Sequence, residues 1–306
     1  MVVSADQVTR LTVMVFPGTQ TLPIFAALAQ GLFAARGLAV DLKFAPNSDE
    51  QRRGLAEGRY QIVHGAADQA VALVEAANVD AVIVAGGDNG FNRLFVQPEI
   101  ETLAGLRGRT LVADVADTGW SFTLYKLLQT HGLQRTDYSV KEVGAPFRRF
   151  EAMVQDRTMG AAILNPPFAI HAERAGLKDM GAIVDAIGPY QGTVPYVLRA
   201  WAAANAETLV AYLQACLEGL RWCLDPANRA SLVALCEARL GVEADIASRI
   251  AEVAADPVHG LARDAAFDLE GFRTVLKVRA EFTGGRLAGP EIYFDLSYHR
   301  RALAGL

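Results

Sequence analysis

The sequence predicts a two-lobed α/β protein in which each lobe is a mostly parallel sheet flanked by helices. Three observations predict this fold. The 306 residues are too many for one ordinary core and suit two domains of roughly 100 to 200 residues. Short β-branched runs alternate with helical patterns through the N-terminal two thirds of the chain, which is typical of βαβ units. Beyond Asn205 the chain becomes rich in Ala and Leu with helical periodicity.

The first lobe is predicted to contain four strands with helices between them. The first helix begins near Pro23, because proline is favoured in the first helical turn, and it ends before Gly37. Ser48 and Gln51 stand at the cap and third positions of a capping box, which predicts that the second helix begins there. The predicted strands are 11–16, 39–44, 60–64 and 81–85, and a third helix is predicted at 68–77.

The same pattern restarts after the glycine-rich segment 86–90. A predicted strand at 93–97 leads into the first crossing between the lobes, and the return crossing is expected within 189–194. The sequence therefore predicts a discontinuous first lobe, residues 1–96 and 192–306, and a second lobe at 97–191. Further strands are predicted at 110–115, 138–143 and 161–164, and helices at 120–131 and 147–155.

The C-terminal part is predicted to be helical to about Phe282 and to pack on the first lobe. The helices are broken at Asp225-Pro226 and Asp256-Pro257. The three cysteines of the chain lie in this region without paired spacing, so we interpret them as small buried residues rather than as a disulfide framework or a zinc site.

Composition excludes several classes of protein. With 52% hydrophobic and 21% charged residues, the chain can bury a sizeable core. The formal net charge is −5 and the basic residues are scattered, so nucleic acid is not expected as a partner. The one basic cluster, Arg148 and Arg149, is interpreted as a solvated helix face rather than an anion clamp. No apolar run reaches the length of a membrane span.

The first twenty residues lack the pattern of a secretion signal. We therefore expect either that the protein stays inside the cell or that its leader has been removed.

Four motifs in order along the chain resemble one family. They are AQGLF with GLAV at 29–40, LAEGRYQI at 55–62, LAGLRGRTLV at 103–112 and MVQDRTMGAA at 153–162. Together they resemble the type 2 periplasmic-binding-protein superfamily, and within it the NMT1/THI5-like branch of sulfonate, taurine and thiamine-pyrimidine binders of ABC importers. The chain departs from the family pattern at Gln61, where the family usually carries Asp.

The resemblance implies a periplasmic, non-enzymatic binder that closes its two lobes over a small organic ligand. It also implies an ABC permease in the membrane as the partner that reads the closed form. No cofactor and no metal are expected, and we favour a monomer. The ligand is expected to be anionic or heterocyclic.

The strongest site signal is the turn DTGWSF at 117–122, which opens a helix after a strand. Ligands in open α/β sheets bind beyond the carboxyl ends of the strands, and a helix N-terminus favours an anion. We therefore expect Thr118, Gly119, Trp120 and Ser121 to contact the ligand. The alternative is that Thr118 only caps the helix and Trp120 only packs.

Other loops on the same predicted rims supply further candidates. Each has a simpler alternative, because Thr, Asp and Asn also cap helices and form turns, and His and Tyr also pack. Arg93 is the expected countercharge for an acidic ligand, although a solvated strand residue is the alternative. The remaining candidates are Thr19, Gln20, His64, Asp68, Asp88, Asn89, Asn165 and Tyr190.

Two other functions stay open on the same fold. A metal-free lyase or decarboxylase could use His64 with Asp88 or Asp68. A cysteine nucleophile is not expected, because no cysteine precedes Cys216. The third alternative is a cytoplasmic small-molecule sensor.

Overall fold

The structure, a computed structural model, describes residues 8–88 and 90–306. Within these ranges ten strands form two five-stranded sheets. The strands are β1 (Thr9–Val15), β2 (Leu38–Phe44), β3 (Ile62–Ala66), β4 (Ala81–Ile83), β5 (Arg93–Val96), β6 (Thr110–Ala113), β7 (Ser139–Glu142), β8 (Met159–Leu164), β9 (Lys178–Ala182) and β10 (Thr193–Leu198).

The two sheets have equivalent topologies. Their strand orders are β2-β1-β3-β10-β4 and β7-β6-β8-β5-β9. The first three strands of each sheet pair in parallel, whereas β10 and β5 pair antiparallel with both of their neighbours. The predicted α/β fold is therefore present, but each sheet is mixed because a strand that arrives from the other half of the chain occupies its fourth position.

The first crossing between the sheets comes earlier than predicted. The segment Arg93–Val96 was assigned to the first lobe, yet it forms β5 between β8 and β9 of the second sheet. In that position the backbone N–H and C=O groups of β5 have a hydrogen-bonding strand on each side, which a buried strand requires. We call the first sheet with its packed helices the first lobe, and the second sheet with its helices the second lobe.

Thirteen α-helices lie in the described ranges. They are α1 (Leu22–Ala29), α2 (Ser48–Ala56), α3 (Ala67–Glu75), α4 (Gly119–Thr130), α5 (Pro146–Gln155), α6 (Phe168–Arg174), α7 (Ile183–Ile187), α8 (Arg199–Ala204), α9 (Ala206–Leu224), α10 (Arg229–Leu240), α11 (Ala244–Ala255), α12 (Leu269–Thr283) and α13 (Ser297–Ala304). None of them combines the length and the apolar character needed to cross a bilayer.

The cap of α2 differs from the predicted capping box. The side chain of Asn47, not Ser48, accepts a hydrogen bond from the backbone N–H of Glu50 at 2.8 Å. Asn47 has the extended backbone that an N-cap requires, whereas Ser48 is already helical. The hydroxyl of Ser48 is therefore available for a different contact, which bridges the lobes.

The C-terminal helices join the lobes as well as covering the first one. Helix α9 packs on α1, as predicted, and α13, which lies beyond the predicted helical region, packs on α9. Helix α12, in contrast, contacts both α3 of the first lobe and α4 of the second. There Phe282 stacks on Phe122 with ring centroids 5.8 Å apart. Helix α12 therefore packs on the first lobe, as predicted, and its apolar face also extends to the core of the second lobe.

Candidate ligand-binding cleft

A cavity lies between the two lobes, where the carboxyl ends of β1, β3, β6 and β8 face one another. It encloses about 730 Å³ of space free of protein atoms, part of which is open to solvent. Its lining comes from both lobes and includes Phe16, Gln20, Ser48, His64, Gln69, Phe91, Asn92, Asp114, Thr118, Trp120, Ser121, Arg149 and Asn165.

The lobes touch each other on both sides of this cavity. On one side the Asn165 side-chain amide donates to the Gln20 side-chain carbonyl at 3.2 Å, and the Thr19 N–H donates to the Pro166 carbonyl at 3.4 Å. On the other side the Ala145 N–H donates to the Pro46 carbonyl at 3.0 Å. The structure is therefore a closed form of the two lobes.

Two helix N-termini border the cavity, and they are occupied differently. At α2 the N–H of Ser48 donates to the Asp114 carboxylate at 3.2 Å, and its hydroxyl donates to the same group. Asp114 belongs to the opposite lobe, so an internal anion fills this helix end. At α4 the N-cap residue Thr118 makes no side-chain cap bond. Its hydroxyl and that of Ser121 donate to the Val115 carbonyl at 3.0 and 2.7 Å instead.

The first turn of α4 is therefore left without a side-chain cap, and Thr118, Trp120 and Ser121 line the cavity. Backbone N–H groups and the helix dipole favour an anion at such a position.

Arg149 provides a buried positive charge in the wall of the same cavity. Its side chain is almost fully enclosed, with 7% of the residue exposed. One guanidinium nitrogen donates to the Ile163 carbonyl at 2.6 Å, while Nε is buried with no partner among the described residues. Burial lowers the pKa of Arg149, and the nearby Asp114 opposes that shift. Buried polar groups are almost always paired, so an unpaired guanidinium nitrogen beside a cavity is unusual.

Apolar and neutral groups form the rest of the wall. Phe16, Phe91 and Trp120 contribute aromatic surface. The Nε2 atom of His64 lies 2.9 Å from the Tyr212 hydroxyl. Burial lowers the pKa of His64 to about 3, so its imidazole is neutral at physiological pH. The arrangement suits a ligand that has one anionic head and an apolar or heterocyclic body.

The structure brings six of the predicted site residues together around the cavity. They are Gln20, His64, Thr118, Trp120, Ser121 and Asn165. They come from four separate segments of the chain, each at or just after the end of a strand, as the sequence predicted. Their contact with a ligand remains a prediction.

Other predicted site residues have structural partners instead. Asp68 is buried and paired with Arg279, and Arg93 is paired with Asp179 at 2.6 Å. Gly119 is packed so closely that a Cβ there would lie 2.5 Å from both the Asp68 Cβ and the Tyr190 hydroxyl.

Thr19, Tyr190 and Asp88 also lie outside the lining of this cavity. Thr19 is fully buried, and Tyr190 packs against Trp120 with ring centroids 5.0 Å apart. The Asp88 carboxylate accepts backbone N–H groups of Gly90 and Thr193, each at 2.8 Å. Asn89 lies outside the described residues.

Sequence reasoning missed the most informative lining residue. Arg148 and Arg149 were interpreted together as a solvated face, but only Arg148 is exposed. Successive helical residues point about 100° apart, so neighbouring arginines face different surroundings. The available signal was the apolar spacing of Phe147, Phe150 and Met153, which shows that one face of α5 turns inward. Among the described residues, no cluster of His, Cys, Asp and Glu has the grouping of a metal site.

Two lobes with these sheet orders, joined by two crossing strands around one cleft, define the periplasmic binding protein fold. Residues 4–237 match the NMT1-like family, and the chain belongs to that family. The resemblance inferred from the four sequence motifs is thus confirmed.

Solved structures with this fold cover nearly the whole chain. A protein from Bordetella bronchiseptica RB50 is 20% identical, with a TM-score of 0.83 over 97% of this chain and 98% of that one. The periplasmic nitrate-binding protein NrtA from Synechocystis PCC 6803 is 13% identical, with a TM-score of 0.81 over 99% and 90%. The alkanesulfonate-binding protein SsuA from Xanthomonas axonopodis pv. citri, bound to MOPS, is 13% identical, with a TM-score of 0.76 over 97% and 99%.

The same fold also occurs in an enzyme. The desulfurization enzyme DSZB is 13% identical, with a TM-score of 0.66 over 97% of this chain and 99% of that one. No curated protein sequence matches the chain.

Proposed function

We propose that this protein is the solute-binding component of an ABC-type importer and captures a small organic anion between its lobes. The observation that carries the proposal is the buried side chain of Arg149, which contributes to the wall of the interlobe cavity and has no acceptor for its Nε. A carboxylate or sulfonate there would pair with Arg149 and with the uncapped first turn of α4.

The contacts between the lobes support a binding cycle based on closure. Several polar contacts join the lobes, and two of them, Asn165 to Gln20 and Ser48 to Asp114, involve side chains that also line the cavity. A ligand that touches both lobes would stabilise this closed form over an open one, because it binds the closed form better. A membrane permease and a periplasmic location follow from the family, as proposals.

The lyase alternative receives less support from the geometry. His64 has its Nε2 engaged by Tyr212, and a base whose pKa is about 3 is weak at neutral pH. Asp68 is paired with Arg279, and Asp88 is bonded to backbone N–H groups. A cytoplasmic sensor would use the same cleft and differs only in its partner.

The test is a thermal-shift screen of the purified chain against organic carboxylates, sulfonates and pyrimidines. A true ligand at 100 times its Kd adds about 2.7 kcal/mol to the free energy of unfolding. Small-angle scattering with and without that ligand should show compaction. Conversion of the ligand to a product, detected by mass spectrometry, would favour the lyase. Loss of cellular uptake of the ligand on gene deletion would separate transport from sensing.

A further inference from the structure

A second cavity lies in the first lobe, directly behind the cleft. It contains about 550 Å³ of space free of protein atoms, part of which is open to solvent. Most of its wall is aliphatic and comes from α1, α9 and the segment that follows α11. The apolar lining residues are Pro23, Ile24, Leu213, Leu217, Leu220 and Leu261. We call this space the tail chamber.

The tail chamber and the cleft share part of their wall. Gln20, His64 and Thr193 line both cavities. The Gln20 side chain is held at two points: its Nε2 donates to the Phe16 carbonyl at 3.1 Å, and its Oε1 accepts from Asn165 of the opposite lobe at 3.2 Å. The second bond joins the two lobes, so opening of the lobes would break it. We therefore expect Gln20 to be the part of the shared wall, or partition, that can move.

The titratable groups in the wall of the tail chamber are His64, Asp88, Cys216 and His299, and His299 Nε2 lies 2.7 Å from the Asp264 carbonyl. The neutral His64 is bonded to Tyr212, and the Asp88 carboxylate is bonded to two backbone N–H groups. Burial raises the pKa of the Cys216 thiol to about 12, which keeps the thiol neutral at physiological pH. Moving an anion into this space would cost far more than moving a hydrocarbon chain, which gains free energy with the area it buries.

We propose that the tail chamber is a second subsite, which takes an unbranched apolar tail while the anionic head of the same ligand stays beside Arg149. Gln20 then determines which tails pass, and the protein selects ligands by chain length. This inference rests on the proposed function, since it needs the head to bind in the cleft.

The experiment is calorimetric titration of the full chain with straight-chain monocarboxylates from acetate to octanoate, and with the matching alkyl sulfonates. The two series separate the choice of head from the choice of tail. Once the tail is long enough to pass Gln20, each added methylene should tighten binding about fourfold.

A flat series, in which short and long acids bind equally well, would overturn the tail chamber and leave the proposed function intact. The absence of binding by every member of both series would count against the proposed function itself, and against this inference with it.

Two variants sharpen the test. Cys216→Met extends a flexible side chain into the tail chamber, so the gain with chain length should shrink at least tenfold by octanoate, while acetate binding serves as the internal reference. Gln20→Ala removes the partition and should tighten octanoate binding relative to butyrate. An unchanged chain-length profile in both variants would overturn the proposal, and the wild-type series decides it alone if Cys216→Met fails to fold.

Discussion

Two buried arginines of this protein are held in opposite ways. Arg279, on α12, lies 3.0 Å from both carboxylate oxygens of Asp68, and both residues are almost completely enclosed. Arg149, on α5, is equally enclosed but donates only to a backbone carbonyl and keeps Nε unpaired. The two sites differ in whether a carboxylate of the chain contacts the guanidinium directly. Asp68 forms a salt bridge with Arg279, whereas Asp114 lies near Arg149 without forming one.

This difference separates structure from function. A buried charge without a partner is costly, so a protein normally provides one. At Arg279 the partner ties α12 to the first lobe. At Arg149 one buried guanidinium donor has no acceptor in the chain, and under our proposal a bound ligand supplies it. The comparison predicts that the first site controls stability and the second controls affinity.

The largest effect is expected from Asp68→Asn. This change leaves Arg279 buried without its counterion and should lower the free energy of unfolding by about 3–5 kcal/mol, measured by denaturant titration. The matched control is Asp179→Asn, which removes the partner of the more exposed Arg93 and should cost under about 1 kcal/mol. Equal losses of unfolding free energy in Asp68→Asn and Asp179→Asn would show that the buried Arg279 depends on its counterion no more than the more exposed Arg93 does.

Arg149→Met is expected to act mainly on binding. Losing one partner of a buried charge pair costs about 2–5 kcal/mol, so ligand affinity should fall by roughly 30-fold or more in calorimetry. The free energy of unfolding without ligand should change little, because methionine replaces an unpaired charge with apolar volume. Arg148→Met, the exposed neighbour, is the control and should retain wild-type affinity. A large stability loss with unchanged affinity would reverse the assignment.

Gly119→Ala probes the close approach of α4 to Asp68. The added methyl group meets the Asp68 side chain and the Tyr190 hydroxyl, and overpacking of this kind costs about 1–3 kcal/mol in thermal or chemical unfolding. Gly105→Ala is the matched control, because the nearest atom to its Cβ lies 3.4 Å away. If both variants unfold alike, the lobes do not need this contact.

His64→Gln tests a third way of burying a basic group, which is to keep it neutral. Between pH 6.5 and about 3 the unfolded chain binds a proton at His64 that the folded chain does not, since burial lowers the pKa of His64. Stability therefore falls as the pH drops through this window, by up to about 1.4 kcal/mol per pH unit. In His64→Gln that contribution disappears, and the curve of unfolding free energy against pH should be shallower. Parallel curves of unfolding free energy against pH for the wild type and His64→Gln would contradict this prediction.

Much of the fold was predictable from the sequence because alternation of strands and helices is a local signal. Two strands were missed for identifiable reasons. β10 contains Pro195, which cannot donate to a ladder and argues against an interior strand, although its carbonyl still accepts from Val84 at 3.0 Å. β9 is an edge strand with the polar sequence KDMGA, which carries no hydrophobic alternation.

The site residues were predictable only where a position just after the end of a strand places the residue at the cleft. Loops after strands led to Gln20, Thr118 and Asn165. Partners that are remote in sequence could not be seen, so Arg93 was chosen as the countercharge although Asp179 neutralises it. Arg149 was not predicted for the converse reason, because nothing in the neighbouring sequence reveals that its Nε lacks an acceptor.

The position of β10 sets an order for assembly during synthesis. In the first sheet β4 is hydrogen-bonded to the other strands only through β10, which ends at Leu198. The second sheet is complete once Ala182 has been made. A ribosome that releases the chain from its N-terminus therefore allows the middle of the polypeptide to finish its sheet first, while the opening segment waits for a strand made later.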